Sequence, residues 1–216
     1  VQQDAPKVTL VTPTAPIAVQ SHGGRAKCLQ RLVRLDLPVP TTVALSFKAV
    51  RRLAGGEMPD LDELMAPFDD SQMLCVRPSS EDPDWGGPGA VLNIGINDER
   101  HAELSKSIGP SAANELYLRF IQSYSEHVAR LDPDIFDDID LAAPDALTKA
   151  LDAYEEEAEE AFPQDLRTQL GGVLRSMARA WEGTSARLLR MAKGAPADAG
   201  LGLVVQAMVL GLGKGE

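Results

Sequence analysis

The sequence predicts an α+β fold, a small mixed sheet lobe with a helical insertion. Two observations lead there. Short apolar runs bounded by Gly, Pro and Asp read as strands at Val8–Val11, Val43–Phe47, Met73–Val76, Ala90–Ile96 and Leu203–Leu210. From Ser111 to about Met191 the apolar residues recur at helical spacing instead. The chain then divides into an α/β lobe at 1–105, a helical insertion at 106–163, and a return helix with a final strand at 164–216 of the same domain.

Val8–Val11 is short enough for an edge strand, and Pro13 and Pro16 end it. Gly23-Gly24 forms a tight turn. A helix follows from Ala26, with Ala26, Leu29, Leu32 and Val33 on one face, and Pro38 and Pro40 stop it. After the strand at Val43 come a short helix at Lys48–Leu53, a loop at Gly55–Pro59 and a weak acidic helix at Leu61–Phe68. Arg77 stands at the end of the strand Met73–Val76, and a loop rich in Ser, Asp, Pro and Gly leads to Ala90–Ile96. Leu116, Phe120, Ile121, Tyr124, Val128 and Leu131 make one helical face that ends at Asp132-Pro133. Asp145 is placed to cap the next helix, whose run Glu155–Glu160 reads as a solvated acidic surface. Phe162-Pro163 opens a long helix, Gln164 to about Met191, with Leu166, Leu170, Val173, Leu174, Met177 and Trp181 toward the core.

A net charge of −11 argues against nucleic acid or an anionic membrane as partner. Cys28 and Cys75 fall inside a helix and a strand and read as small core residues, with no disulfide framework. No run is long enough to span a bilayer, and the first twenty residues lack the pattern of a signal peptide. The expectation is a cytoplasmic protein.

The chemistry concentrates at Gly23-Gly24. A helix beginning on a diglycine presents bare backbone N–H groups and a dipole to an anion. Arg25 supplies charge beside it. Arg77 suits bidentate phosphate contact, although an ion pair with Glu81, Asp82 or Asp84 reads equally well from the sequence alone. Arg119 reads as a surface residue of an amphipathic helix. The strand Leu203–Leu210, with Met208, reads as core. His22 is a loop residue near the turn, and His101 and His127 are surface positions. No Cys/His metal spacing and no nucleophile–base pair is visible.

The run GGRAKCLQRLVRLDLPVP resembles the opening of the nucleotide-binding domain of pyruvate phosphate dikinases and phosphoenolpyruvate synthases. The resemblance continues in Val76-Arg77-Pro78, in VLNIGIND, in YLRFIQ, in Phe162-Pro163 with Trp181 and Arg190, and in LVVQAMVLG up to Gly211. The VLNIGIND, FIQ and Phe162–Trp181 segments favour the dikinase branch. The resemblance implies an incomplete ATP-grasp-type domain that uses ATP and Mg²⁺. Phosphates would be held by Gly23, Gly24, Arg25, Arg77 and Arg119, and adenine by a hinge at Gln206, Ala207, Met208 and Val209. Arg25 stands where the family has lysine, and Pro78 and Glu81 depart from the family loop. No catalytic residue or metal ligand is assigned. The chain stops at Glu216, and the resemblance places the Mg²⁺-binding carboxylates, a phosphohistidine carrier domain and a pyruvate domain elsewhere in a longer protein. In that protein ATP phosphorylates a carrier histidine and then pyruvate. The alternative is a catalytically silent module that binds a nucleotide or a protein.

Overall fold

The computed structural model describes residues 8–69 and 71–210, and the protein is mixed α/β. In chain order the elements begin with β1 (Val8–Leu10), α1 (Val19–Arg34), β2 (Thr42–Leu45), α2 (Phe47–Ala54), α3 (Leu61–Met65), β3 (Leu74–Ser80) and β4 (Val91–Ile94). Then come α4 (Asp98–Ile108), α5 (Pro110–Tyr124), α6 (Ala146–Ala158), α7 (Leu166–Glu182), α8 (Thr184–Ala192) and β5 (Leu201–Ala207). The described residues fall into two compact units, within Val1–Ala90 plus Leu174–Ala207 and within Val91–Val173 plus Met208–Glu216. Gly211, the last residue of the family pattern, lies outside the described residues.

The first unit holds four antiparallel strands in the order β1-β2-β5-β3. β5 is central, and all seven of its residues are buried. Val204 clusters with Ala26 of α1, and Gly200, just before the strand, lies against Phe47 of α2. Paired residues of an antiparallel ladder share a face. Gly202 with Ser79, Val204 with Arg77, and Gln206 with Cys75 therefore form three successive rows on the α1 side. The first row is made of small residues because α1 crosses there; a Cβ on Gly202 would stand 2.5 Å from the His22 carbonyl oxygen.

The second unit packs an aromatic core. Phe162 touches Tyr117, Phe120, Tyr124 and Tyr154 with ring centroids 5.1–6.0 Å apart. Such a hub contributes several kcal/mol; its removal to alanine costs about 3–5 kcal/mol in comparable cores. Gln169 is fully buried and fully satisfied. Its Oε1 accepts the Gly95 N–H at 2.7 Å, and its Nε2 donates to the carbonyls of Ile96 at 3.0 Å and Pro163 at 2.7 Å. VLNIGIND is therefore a structural lock: Asn97 caps α4 through the Arg100 N–H, and Asp98 accepts from the Tyr117 hydroxyl at 2.9 Å.

Several expected elements differ. β3 runs on through Pro78 to Ser80, and β5 ends at Ala207 instead of Leu210. The long return helix is two, divided at Gly183, which takes an extended ψ of 143°. α4 was not expected, because Leu104 is its one buried residue and it carries no apolar stripe. Asp145 precedes α6 without a side-chain cap and pairs with Lys149 at 3.0 Å. Cys28 is exposed, not core, whereas Cys75 is buried, and both are free thiols. His22 is buried in the first turn of α1 and is not in a loop.

Candidate functional site

α1 is broken where the diglycine stands. Gly23 has φ 84° and ψ 170°, outside helical geometry and in the region that side-chain-bearing residues avoid. The helix restarts immediately after it. A restarted helix has lost the carbonyls one turn back, so its first N–H groups need other partners. Ser79, 1% exposed on β3, provides for one: its hydroxyl accepts the Ala26 N–H at 3.1 Å and donates to the His22 carbonyl at 2.7 Å. The two residues before Ala26, Gly24 and Arg25, line a cleft of about 490 Å³. Ser79, Ser80 and the Gly86–Pro88 segment close its other side.

Arg25 has a second guanidinium, that of Arg77, as a neighbour. Arg25 donates through Nη1 to the Pro78 carbonyl. Burial, and then the neighbouring Arg77 charge, lower its pKa from the ordinary arginine value. Arg77 is half-buried and forms no ion pair among the described residues, including none with Glu81, Asp82 or Asp84. Asp82 is instead turned to its own loop, accepting the Asp84 N–H at 2.9 Å. Cys75 lies beside the pair; burial raises its thiol pKa, and Arg77 and Arg25 act against that. Two like charges in a partly buried place are costly until an anion joins them.

The structure thus brings Gly23, Gly24, Arg25 and Arg77 together within the first unit. Gln206 shares their sheet face one row further on; it is buried and donates to the Thr42 hydroxyl at 2.8 Å. Ala207 is buried, and its N–H is committed to the Thr41 carbonyl at 2.9 Å. In the second unit, the Met208 sulfur accepts the Asn93 N–H at 3.0 Å, and Val209 is 75% exposed. Arg119 lies on the exposed side of α5, paired with Glu115 four residues before it.

Sequence reading missed Ser79, because nothing separates it from its neighbour Ser80 until the β3 alternation is known. It placed Trp181 toward the core and Arg190 in the family pattern, without joining the two. They form a stack, with the guanidinium 3.7 Å from the indole centroid. Among the described residues no three His, Cys, Asp or Glu side chains converge as metal ligands would, and no helix is long and apolar enough to cross a membrane.

What the fold and cleft define is a mixed α/β unit in which Gly24 and Arg25, just after a break in a helix, line an open groove, with Arg77 near Arg25. The chain's curated homologues are pyruvate phosphate dikinases. It is 32% identical to the pyruvate, phosphate dikinase of Clostridium symbiosum over 231 aligned positions, covering 90% of this chain and 26% of that protein. It is 27% identical to the Rhizobium meliloti enzyme, over 88% of the chain and 25% of the relative. The chloroplastic enzyme of Flaveria trinervia is 25% identical over 88% of the chain and 24% of its own length. The chain therefore spans about a quarter of the length of the curated relatives it matches. No family model matches it.

Proposed function

We propose that the first unit is the triphosphate-binding part of an ATP-grasp nucleotide-binding domain, in a pyruvate phosphate dikinase-like phosphotransferase. One observation carries this: Gly24 and Arg25, next after the Gly23 break, line the cleft, Arg77 lies near enough to lower the Arg25 pKa, and no carboxylate among the described residues forms an ion pair with either cation. Such a place suits a polyanion, because the helix terminus and the fixed charges add. Gly24 leaves its side of the groove bare, so a phosphate can approach the peptide directly. Arg25 is oriented by Pro78 and therefore loses little freedom on binding.

Bound Mg²⁺ would supply charge neutralisation to the triphosphate. The described residues give it no converging carboxylates, so this unit's own part is to grip and orient phosphate. Adenine is assigned to the C-terminal end of β5, where Gln206 follows the Arg77 row on the same face. Arg119 stays with the nucleotide on family resemblance alone. Phosphorylation of a carrier histidine and of pyruvate would fall to other parts of a longer protein.

The test is calorimetric titration of ATP·Mg²⁺ into the chain and into Arg77→Ala. Saturable heat with at least about tenfold weaker binding by the variant is expected from losing a charge-assisted contact. Identical heats would remove Arg77 from the site.

A further inference from the structure

The protein's two tryptophans, Trp85 and Trp181, line a second cleft of the first unit, about 410 Å³, between Gly86–Pro88 and α8. Trp181 is 1% exposed. The Arg190 guanidinium stacks on it and donates to its carbonyl at 2.7 Å. Arg190 is itself only 5% exposed and lines the cleft, yet no carboxylate among the described residues forms an ion pair with it. Glu182, whose charge favours the cation, is paired with Arg187 at 3.4 Å. Lys193, just past the end of α8, also lines the cleft. Its Nζ lies 3.3 Å from where a Cβ on Gly86 would be, and it forms no ion pair among the described residues.

Burying a guanidinium is costly unless its charge and its five donors are answered. The indole face answers part of the charge, and one carbonyl takes one donor. Arg190 lines the cleft, and so does a second cation, Lys193. The opposite wall is bare peptide, since Gly86 and Gly87 have φ 84° and 152° and carry no side chain.

We propose that this cleft is a second anion site, taking a phosphate-type oxyanion on Arg190 and Lys193. Trp85 and Leu189 give the cleft apolar walls, so the oxyanion can be free or can carry an apolar or aromatic body. The site does not depend on the triphosphate reading of the diglycine cleft, although Gly86, Gly87 and Pro88 border both clefts.

Both tryptophans report on this one place, so intrinsic fluorescence reads it directly. Inorganic phosphate and phenyl phosphate are titrated into the chain, with chloride at matched ionic strength as control. A saturable change in emission with phosphate and none with chloride is expected. Tighter binding of phenyl phosphate assigns the apolar walls to an attached body; equal binding assigns the site to the free ion. Lys193→Ala, an exposed position, should weaken binding about tenfold, and Arg25→Ala should leave it unchanged. No saturable change, or equal titration of wild type and Lys193→Ala, overturns the proposal. A signal lost in Arg25→Ala but kept in Lys193→Ala also overturns it, and would place the phosphate in the diglycine cleft instead.

Discussion

Gly23 rests on the backbone of Ser79 so closely that a Cβ built on it would lie 1.9 Å from the Ser79 carbonyl oxygen. Ser79 in turn bridges the two sides of the helix break through its hydroxyl. The turn and the strand end are thus one unit of structure, and ligand geometry at Gly24 depends on it.

Gly23→Ala should therefore be severe. It combines a positive φ with a backbone clash that no rotamer relieves, for a loss of about 3 kcal/mol or more in urea unfolding. Gly24→Ala should not be. Its new methyl would meet nothing nearer than the Glu81 carbonyl oxygen at 3.5 Å, so stability should change by less than about 1 kcal/mol. The methyl would nevertheless occupy the groove, and ATP·Mg²⁺ binding should fall. Wild-type affinity in a stably folded Gly24→Ala would exclude the groove as a phosphate site.

Ser79→Ala tests the bridge. It strands the Ala26 N–H and the His22 carbonyl in a buried place, a cost of about 1–3 kcal/mol. An unchanged urea midpoint would show that the restarted helix is held by something else.

For Arg77 the sign of the stability change is informative. Removing one of two neighbouring like charges should leave folding unchanged, or improve it by up to about 1 kcal/mol at low salt, with the gain fading as salt screens the pair. A clear loss of stability in Arg77→Ala would mean that the guanidinium has a structural partner.

The thiols give a direct footprint. Cys28 is exposed and lines the diglycine cleft, while Cys75 is buried with its thiol pKa raised by that burial. A thiol-modifying reagent should label Cys28 in the native protein and Cys75 only on unfolding. ATP·Mg²⁺ should slow the labelling of Cys28. Equal rates with and without nucleotide would count against the groove.

The sequence reading went furthest where periodicity and punctuation agree. The helix after the diglycine, the strands at Val43, Met73 and Ala90, and the buried face Leu170, Val173, Leu174, Met177 and Trp181 follow from spacing and punctuation, while the helical turn before Gly23 was not expected. It failed where long-range contact decides. α4 has no apolar stripe, so only Asn97 as a cap and the acidic first turn announced it. Cys28 looked like core because a cysteine in a helix says nothing about which face is covered. Ser79 and Gln169 act across 53 and 74 residues of sequence, on Ala26 and Gly95, and no local pattern marks either. The arginines were legible as cations. That Arg25 and Arg77 adjoin depends on α1 lying over the β3 end.

His22 supplies a pH dependence with a definite sign. It is 6% exposed; its Nδ1 lies 2.8 Å from the Ser21 hydroxyl, and its Nε2 is buried without a hydrogen-bond partner among the described residues. Burial lowers its pKa below the ordinary 6.5. The unfolded chain therefore takes up a proton at this residue more readily than the folded one. Its effect on stability is absent well above pH 6.5; as pH falls through 6.5 toward the lower folded value, protonation favours unfolding and stability drops. The slope from one such group cannot exceed about 1.4 kcal/mol per pH unit. His22→Gln removes the titration while His101 and His127 remain in both proteins. The difference in unfolding free energy between variant and wild type should hence be flat above neutrality and move in favour of the variant below it. Parallel curves across that range would mean that the folded protein accepts the proton at His22 without penalty, and that the first turn of α1 opens to water before the rest of the unit unfolds.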